Sequence, residues 1–133
     1  KLKINYIIMA REISTNGRKK VSTLMKEFNS NFPYLLIHIG SMDSKETFHR
    51  CDISKTLSEV RTKKGSGEIS FSGRKKVSTI EREFSKVFGL TTQIMYYTSE
   101  GKRFYTSGSD DSKTLSALNR EKEADGCKKD VWK

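Results

Sequence analysis

Apolar residues in the second half of the chain fall into two periods. In EISFS, Ile69 and Phe71 alternate with polar neighbours, the period of a half-buried strand, before Gly73 punctuates the run. Val77, Ile80, Phe84, Val87 and Phe88 then recur at three and four, drawing one face of a helix. Ser78 and Glu81 have the spacing of a capping box at its start, and Gly89 is placed to end it. The first half shows the same succession: Val21, Leu24, Phe28 and Phe32 line one helical face, and Pro33 is its stop. A β-rich run follows each helix, YLLIHIG from Tyr34 and TTQIMYYT from Thr91, then a turn and a short strand around Phe48 or Phe104. Asp52 or Ser54, and likewise Asp111 or Ser112, are placed to cap a second helix with Leu57 and Val60, or Leu115 and Leu118, facing inward. Each half therefore reads β-α-β-β-α.

The halves also match in residue identity. GRKKVST occurs at 17–23 and again at 73–79, an offset of 56. The same offset carries Glu12, Ile13 and Ser14 onto Glu68, Ile69 and Ser70, Glu27 and Phe28 onto Glu83 and Phe84, Phe32 onto Phe88, and Phe48 onto Phe104. SKTLS at Ser54 recurs at Ser112, an offset of 58, so two residues are inserted between Arg50 and Ser112. Low-complexity sequence does not hold apolar positions in register like this, and the expectation is an internal duplication. The predicted architecture is a single α+β domain of residues 1–133, in which two β-α-β-β-α units join their strands into one sheet covered by helices on one face. That is a two-layer sheet-plus-helices domain with pseudo-twofold symmetry. Repeat one covers about 10–66 and repeat two about 67–124, with 1–9 an extension and 125–133 a tail. In layout alone, this order resembles folds built from duplicated halves, such as the TATA-binding-protein saddle.

Length agrees with one shared core, since a unit of about 60 residues buries little surface by itself. The composition, 34% hydrophobic and 32% charged with one proline, is polar but rich enough in aromatics and aliphatics to fold. No run approaches the ~18 apolar residues of a membrane span, and KLKINYIIMA lacks a signal-peptide core. The expectation is a soluble protein with no membrane partner, residues 1–8 being an extension or mis-assigned start and Met9 the natural initiator. Cys51 and Cys127 do not form the dense pattern of a disulfide scaffold, which suits a reducing, cytoplasmic setting.

Charge sharpens the question. With 26 basic and 16 acidic residues the net charge is +10, favouring contact with a polyanion or an acidic protein surface. Arg18, Lys19 and Lys20, and again Arg74, Lys75 and Lys76, precede a helix start whose free amides and positive dipole end already attract anions. Cations ordinarily serve the other end of a helix, so something besides helix stability favours them here. Arg61, Lys63 and Lys64 end the second helix of the first unit, where cations do suit the dipole. All three groups border the same two strand-helix junctions and could merge into one surface. Such a surface would hold phosphates without reading sequence. Tyr96, Tyr97, Phe104 and Tyr105 could stack on bases if the sheet has an open face. The plainer alternatives are that cations decorate wet turns and were copied with the rest of the unit, and that strand aromatics are core or cross-strand pairs.

Other chemistry is poorly supported. His38, His49 and Cys51 fall short of the four ligands of a structural zinc site, Cys127 lying in the tail, so no metal and no cofactor is expected. The carboxylates are scattered, and there is no nucleophile elbow, H-E-x-x-H, phosphate-binding P-loop or dinucleotide fingerprint. Trp132 belongs either to a frayed terminus or to a tail docked on the body or a partner. Two function classes remain: a small, basic, non-enzymatic protein binding DNA or RNA, or a protein-interaction module, adaptor or inhibitor, that docks an acidic partner. The chain would be a monomer, or a homodimer joined through a sheet edge.

Overall fold

The structure is a computed structural model that describes residues 12–132. The expectations for the first eight residues and for Met9 lie outside the described residues. The elements run β1 (Ile13–Thr15), α1 (Val21–Asn31), β2 (Leu36–Met42), β3 (Phe48–Arg50), α2 (Leu57–Val60), β4 (Ile69–Phe71), α3 (Val77–Phe88), β5 (Thr91–Tyr97), β6 (Arg103–Tyr105) and α4 (Leu115–Ala124). A single turn of 3-10 helix at Gly108–Asp110 precedes α4.

The fold is mixed α+β, with four helices and two antiparallel sheets. β1 and β4 form a two-stranded ribbon in which Ser14 faces Ser70, Ile13 faces Phe71 and Thr15 faces Ile69. The other four strands form a sheet in the order β3-β2-β5-β6, with Ile37 opposite Ile94 and His38 opposite Gln93 at its centre. This corrects the expectation of one sheet. The first strand of each half pairs with its counterpart, the β-hairpins that follow the two long helices pair with one another, and nothing in the ladder joins the two sets.

Alternation along β2 and β5 sorts their side chains. Ile37, Ile39 and Ile94 belong to the same buried cluster as Phe28 of α1 and Phe84 of α3. The ribbon adds Ile13, Ile69 and Phe71, and α2 and α4 add Leu57, Leu115 and Leu118. One core therefore serves the described chain. Helix α3 ends as expected, on a left-handed Gly89 with φ 67°, and α1 ends at Phe32 immediately before Pro33.

The helix starts differ from expectation. Ser78 and Glu81 form no capping box; the cap of α3 is Lys76, without a side-chain bond, and burial, followed by the charge of Asp111, pushes the Glu81 carboxyl above its usual range. The second helix of each half, α2 and α4, is capped by Thr56 or Thr114, two residues beyond the serine predicted for it. The cause is tertiary. The Val21 and Ser22 amides donate to the Lys55 and Ile53 carbonyls at 2.9 Å, and Leu57 and Ser58 donate back to Lys19 and Gly17 at 3.0 and 2.8 Å. Val77 and Ser78 donate likewise to Lys113 and Asp111, and Leu115 and Ser116 to Lys75 and Gly73. The first helix of each half thus starts side by side with the second, their cap residues bridging antiparallel at Lys20 and Thr56 and at Lys76 and Thr114.

The glycine of each GRKKVST lies against a serine of the other segment, whose hydroxyl would have to turn away from any added side chain. A Cβ at Gly17 would stand 2.2 Å from the Ser58 Oγ, and one at Gly73 would stand 1.8 Å from the Ser116 Oγ. GRKKV and SKTLS are two halves of one interlock, present twice.

The tail docks on the body. Lys128 N–H donates to the Tyr97 carbonyl, Asp130 N–H to the Pro33 carbonyl and Trp132 N–H to Asn29 Oδ1, and the Trp132 ring packs against the core.

Candidate nucleic-acid interface

The nine sequence-predicted cations divide into two kinds. Lys19 lies along the first turns of α1 and its ammonium pairs with Glu27 while donating to the Ser14 carbonyl. Lys75 pairs with Glu83 at 2.7 Å in the same way. Their side chains are only 16% and 24% exposed, so the middle lysine of each RKK is an internal ion-pair partner. Arg61 is also engaged: its guanidinium donates to the Val87 carbonyl at 2.8 Å and the Lys63 carbonyl at 2.6 Å and lies over the Phe88 ring, 4.8 Å from its centroid. It closes the C-terminus of α3, where carbonyls lack helical partners. Arg18, Lys20, Lys63, Lys64, Arg74 and Lys76 are exposed, and their side chains make no hydrogen bond or ion pair among the described residues.

Position within the fold separates these six. The chain leaves β1 beyond Thr15, which faces Ile69, and leaves β4 beyond Phe71, which faces Ile13. Antiparallel pairing therefore sends the two RKK motifs to opposite ends of the ribbon. The Arg61 group joins the first, its Nη1 3.8 Å from where a Gly17 Cβ would stand. The two RKK motifs thus mark two basic ends of the ribbon. The helix-start amides expected to attract anions are also occupied: Val21 and Ser22, and Val77 and Ser78, already donate to backbone carbonyls. Anion affinity at these ends falls mainly to the side chains.

The aromatics divide by sheet face. Tyr96 stacks with Phe104 at 6.0 Å, and the Lys122 ammonium sits 4.1 Å from the Tyr96 centroid, so this pair belongs to the helix side. Tyr97 and Tyr105 point to the other face, where Arg103 lies over the Tyr105 ring. That face also carries Leu36, His38 and Met95, all buried. Burial, then the charges of Arg50 and Arg103, pulls the His38 imidazole down to about 4, so it is neutral at pH 7 and its Nε2 accepts from Arg50 at 3.0 Å.

The shift has a direction that denaturation can test. Unfolded histidine titrates near 6.5, so between about pH 6.5 and 4 the unfolded chain binds more protons than the folded one. The stability associated with His38 is fully present above about pH 6.5, falls as the pH drops and levels off near 4. Urea unfolding at pH 7.5 and pH 5 is expected to show a loss of about 2 kcal/mol that His38→Gln abolishes. An equal loss in that variant would place the pH dependence elsewhere.

Beside the second basic end, a cleft of about 570 Å³ opens between the end of α1 and the start of α4. Sequence reasoning missed it, because its walls come from four separate stretches. The middle-lysine pairs did carry a signal: a glutamate stands eight residues after Lys19 and again after Lys75.

His49 Nε2 pairs with Asp43 at 2.8 Å, and Cys51 and Cys127 are free and half-buried. Among the described residues no group of three or more His, Cys, Asp or Glu side chains is arranged to hold a metal ion. No helix among them is long and apolar enough to cross a membrane.

The geometry defines a mixed α+β protein with two antiparallel sheets and two basic ends. Compared with protein-family models, curated proteins and solved structures, the chain matches none of them.

Proposed function

We propose that this is a small non-enzymatic protein that binds nucleic acid through its two basic ends, and that those ends descend from one duplicated β-α-β-β-α unit. The observation that carries the binding reading is the division within each RKK. The middle lysine is tied to Glu27 or Glu83, while Arg18, Lys20, Arg74 and Lys76 project into solvent without an internal partner among the described residues. Close packing and burial account for the glycine and the valine of GRKKVST, and the pairs with Glu27 and Glu83 for the middle lysine. None of this accounts for the outer cations.

Duplication is supported by the registers. Ser14 and Ser70 occupy the same place in the repeat and face each other, so exchanging the halves maps the ribbon onto itself about that pair. In the larger sheet the registers exchange about the His38–Gln93 pair at an offset of 55, one less than in the ribbon: Ile37 opposite Ile94 maps onto Thr92 opposite Ile39, and Gly40 opposite Arg50 onto Met95 opposite Tyr105. Two like ends related by a pseudo-twofold suit a polyanion whose phosphates recur along its length, and two free thiols suit a reducing cytoplasm.

The test is fluorescence anisotropy with labelled single- and double-stranded DNA and RNA at low and moderate salt. Replacing Arg18, Lys20, Arg74 and Lys76 together by alanine is expected to weaken binding at least ~10-fold and to flatten the logarithmic salt slope by about three. The Lys19→Met/Lys75→Met pair is expected to lower thermal stability yet leave the slope within about one of the parent. A quadruple variant with the parent's affinity and slope removes the basic ends from function.

A second reading is favoured by one observation: the edge strand β6 exposes Phe104 and Tyr105, and Met42 is exposed at the end of β2. An acidic protein partner docking there, or a second copy, would be found by co-purification without nucleic acid or by light scattering.

A further inference from the structure

One of the differences between the two ends changes the space at them. The third residue after SKTLS is Arg61 at the first end and Asn119 at the second. Arg61 fills its end, reaching the Val87 carbonyl and covering Phe88. Asn119 is too short to do this; its Oδ1 instead accepts the Tyr34 N–H at 2.9 Å. The groups that correspond to Val87 and Phe88 at an offset of 56 are Asn31 and Phe32, and both line the cleft. Where an arginine plugs one end, the other holds about 570 Å³ of space, within the range of small-ligand sites.

The lining sets the ligand class. Arg74 and Arg120 stand on the cleft with their guanidiniums unpartnered among the described residues, and Thr114 and Ser116 add hydroxyls. Two guanidiniums facing one opening match a phosphate, which arginine binds through paired N–H donors. Asn119 keeps its amide NH2 without a partner among the described residues, and Asn31, whose NH2 donates to the Glu27 carbonyl, presents an oxygen. Beside them the edge of the otherwise buried Phe32 ring adds apolar surface. An amide donor and an amide acceptor side by side are the groups that recognise a base edge. Glu12, also on the cleft, opposes a second anionic group, so a ligand with a single phosphate fits better than one with several.

We propose that this cleft is a one-nucleotide site, holding a phosphate at Arg74 and Arg120 and a base edge at Asn31 and Asn119, beside the edge of Phe32. It rests on the nucleic-acid reading for its ligand class and adds an asymmetry to it: one basic end holds a nucleotide, the other contacts phosphates alone. The nucleotide comes either free or as the end or looped-out residue of a strand, and the probes below separate these.

The full chain is titrated by isothermal calorimetry with AMP, GMP, CMP and UMP, with inorganic phosphate, and with a 5′-phosphorylated octanucleotide of thymidine. At least one mononucleotide, or the octanucleotide, is expected to bind ten-fold or more tightly than phosphate. Asn119→Arg, which copies the plug of the first end, is expected to weaken that binding at least ten-fold, and Arg120→Glu, on the exposed rim, to do the same without touching the fold. Mononucleotide binding points to a free ligand, and octanucleotide binding alone points to a strand end. The proposal is overturned if neither binds more tightly than phosphate, or if both variants bind like the parent. Loss in Arg120→Glu with parent-like binding in Asn119→Arg also overturns it, by leaving a surface anion contact and no cleft. Failure of the underlying reading looks different: long nucleic acids then fail to bind the parent at any salt, whatever the calorimetry returns.

Discussion

Gly40→Ala is expected to cost the fold about 3 kcal/mol or more of its stability. Gly40 sits in β2 opposite Arg50 of β3, and a Cβ there would lie 2.0 Å from the His49 carbonyl oxygen, 2.8 Å from its carbon and 2.9 Å from the Arg50 Cα. All three atoms are backbone. No rotamer change relieves the contact, so β3 must move by more than about 1 Å or detach, taking with it the Cys51 N–H donated to the Ile39 carbonyl. Overpacking a core commonly costs about 1–3 kcal/mol, and a clash confined to backbone belongs at or above the top of that range. Against a total stability of about 5–15 kcal/mol that is a large fraction. Circular dichroism with urea titration measures it, with Gly108→Ala as control, since a Cβ at Gly108 meets nothing within 4 Å. If Gly40→Ala unfolds within about 0.5 kcal/mol of the parent, β2 and β3 do not pair as described.

Phe71→Ala carries the second large effect. Five rings form a chain through the core, Phe32, Phe28, Phe71, Phe84 and Phe88, with successive centroids 5.2, 6.0, 5.6 and 5.5 Å apart. The first two rings belong to α1 and its end and the last two to α3, so Phe71, fully buried on the ribbon, is the ring that joins the helices. The matching position on β1 is Thr15, which cannot replace it. Truncation removes the transfer free energy of a phenyl ring and leaves a cavity between two helices that cannot collapse independently, for a loss of about 3–5 kcal/mol. Thermal melting is expected to shift down by about 10–20 °C. Phe71→Leu should recover most of it. A loss below about 1 kcal/mol in the alanine variant would mean that the ring chain is not the centre of the core.

These two positions differ in how far the sequence exposes them. Phe71 is visible in EISFS as one of two alternating apolar residues before a glycine. Gly40 looks like the end of a β-run, because the carbonyl that excludes a side chain there belongs to the neighbouring strand. The same divide runs through the basic motif. GRKKVST is legible as a repeated cationic junction, but only the folded chain shows that Lys19 and Lys75 turn back to Glu27 and Glu83 while the outer cations do not. The serine caps predicted for α2 and α4 were displaced to Thr56 and Thr114 for a related reason: the first amides of the long helices are taken by carbonyls some 35 residues away, which draws the partner segment into an extended bridge before its own helix can start.

What the sequence by itself determined is whatever depends on neighbours along the chain: the order β-α-β-β-α written twice, the helical faces of Val21, Leu24 and Phe28 and of Val77, Ile80 and Phe84, and the stops at Pro33 and Gly89. Side-chain periodicity and backbone preference are local, so they survive reading in one dimension. The tertiary structure decided which strands pair, that they form two sheets, that the basic motifs stand at opposite ends and that one end is plugged by Arg61 while the other is open beside Asn119. Each of these is a contact between residues far apart in sequence, and antiparallel pairing, helix-start bridging and the reach of one guanidinium are settled only when the distant partners meet.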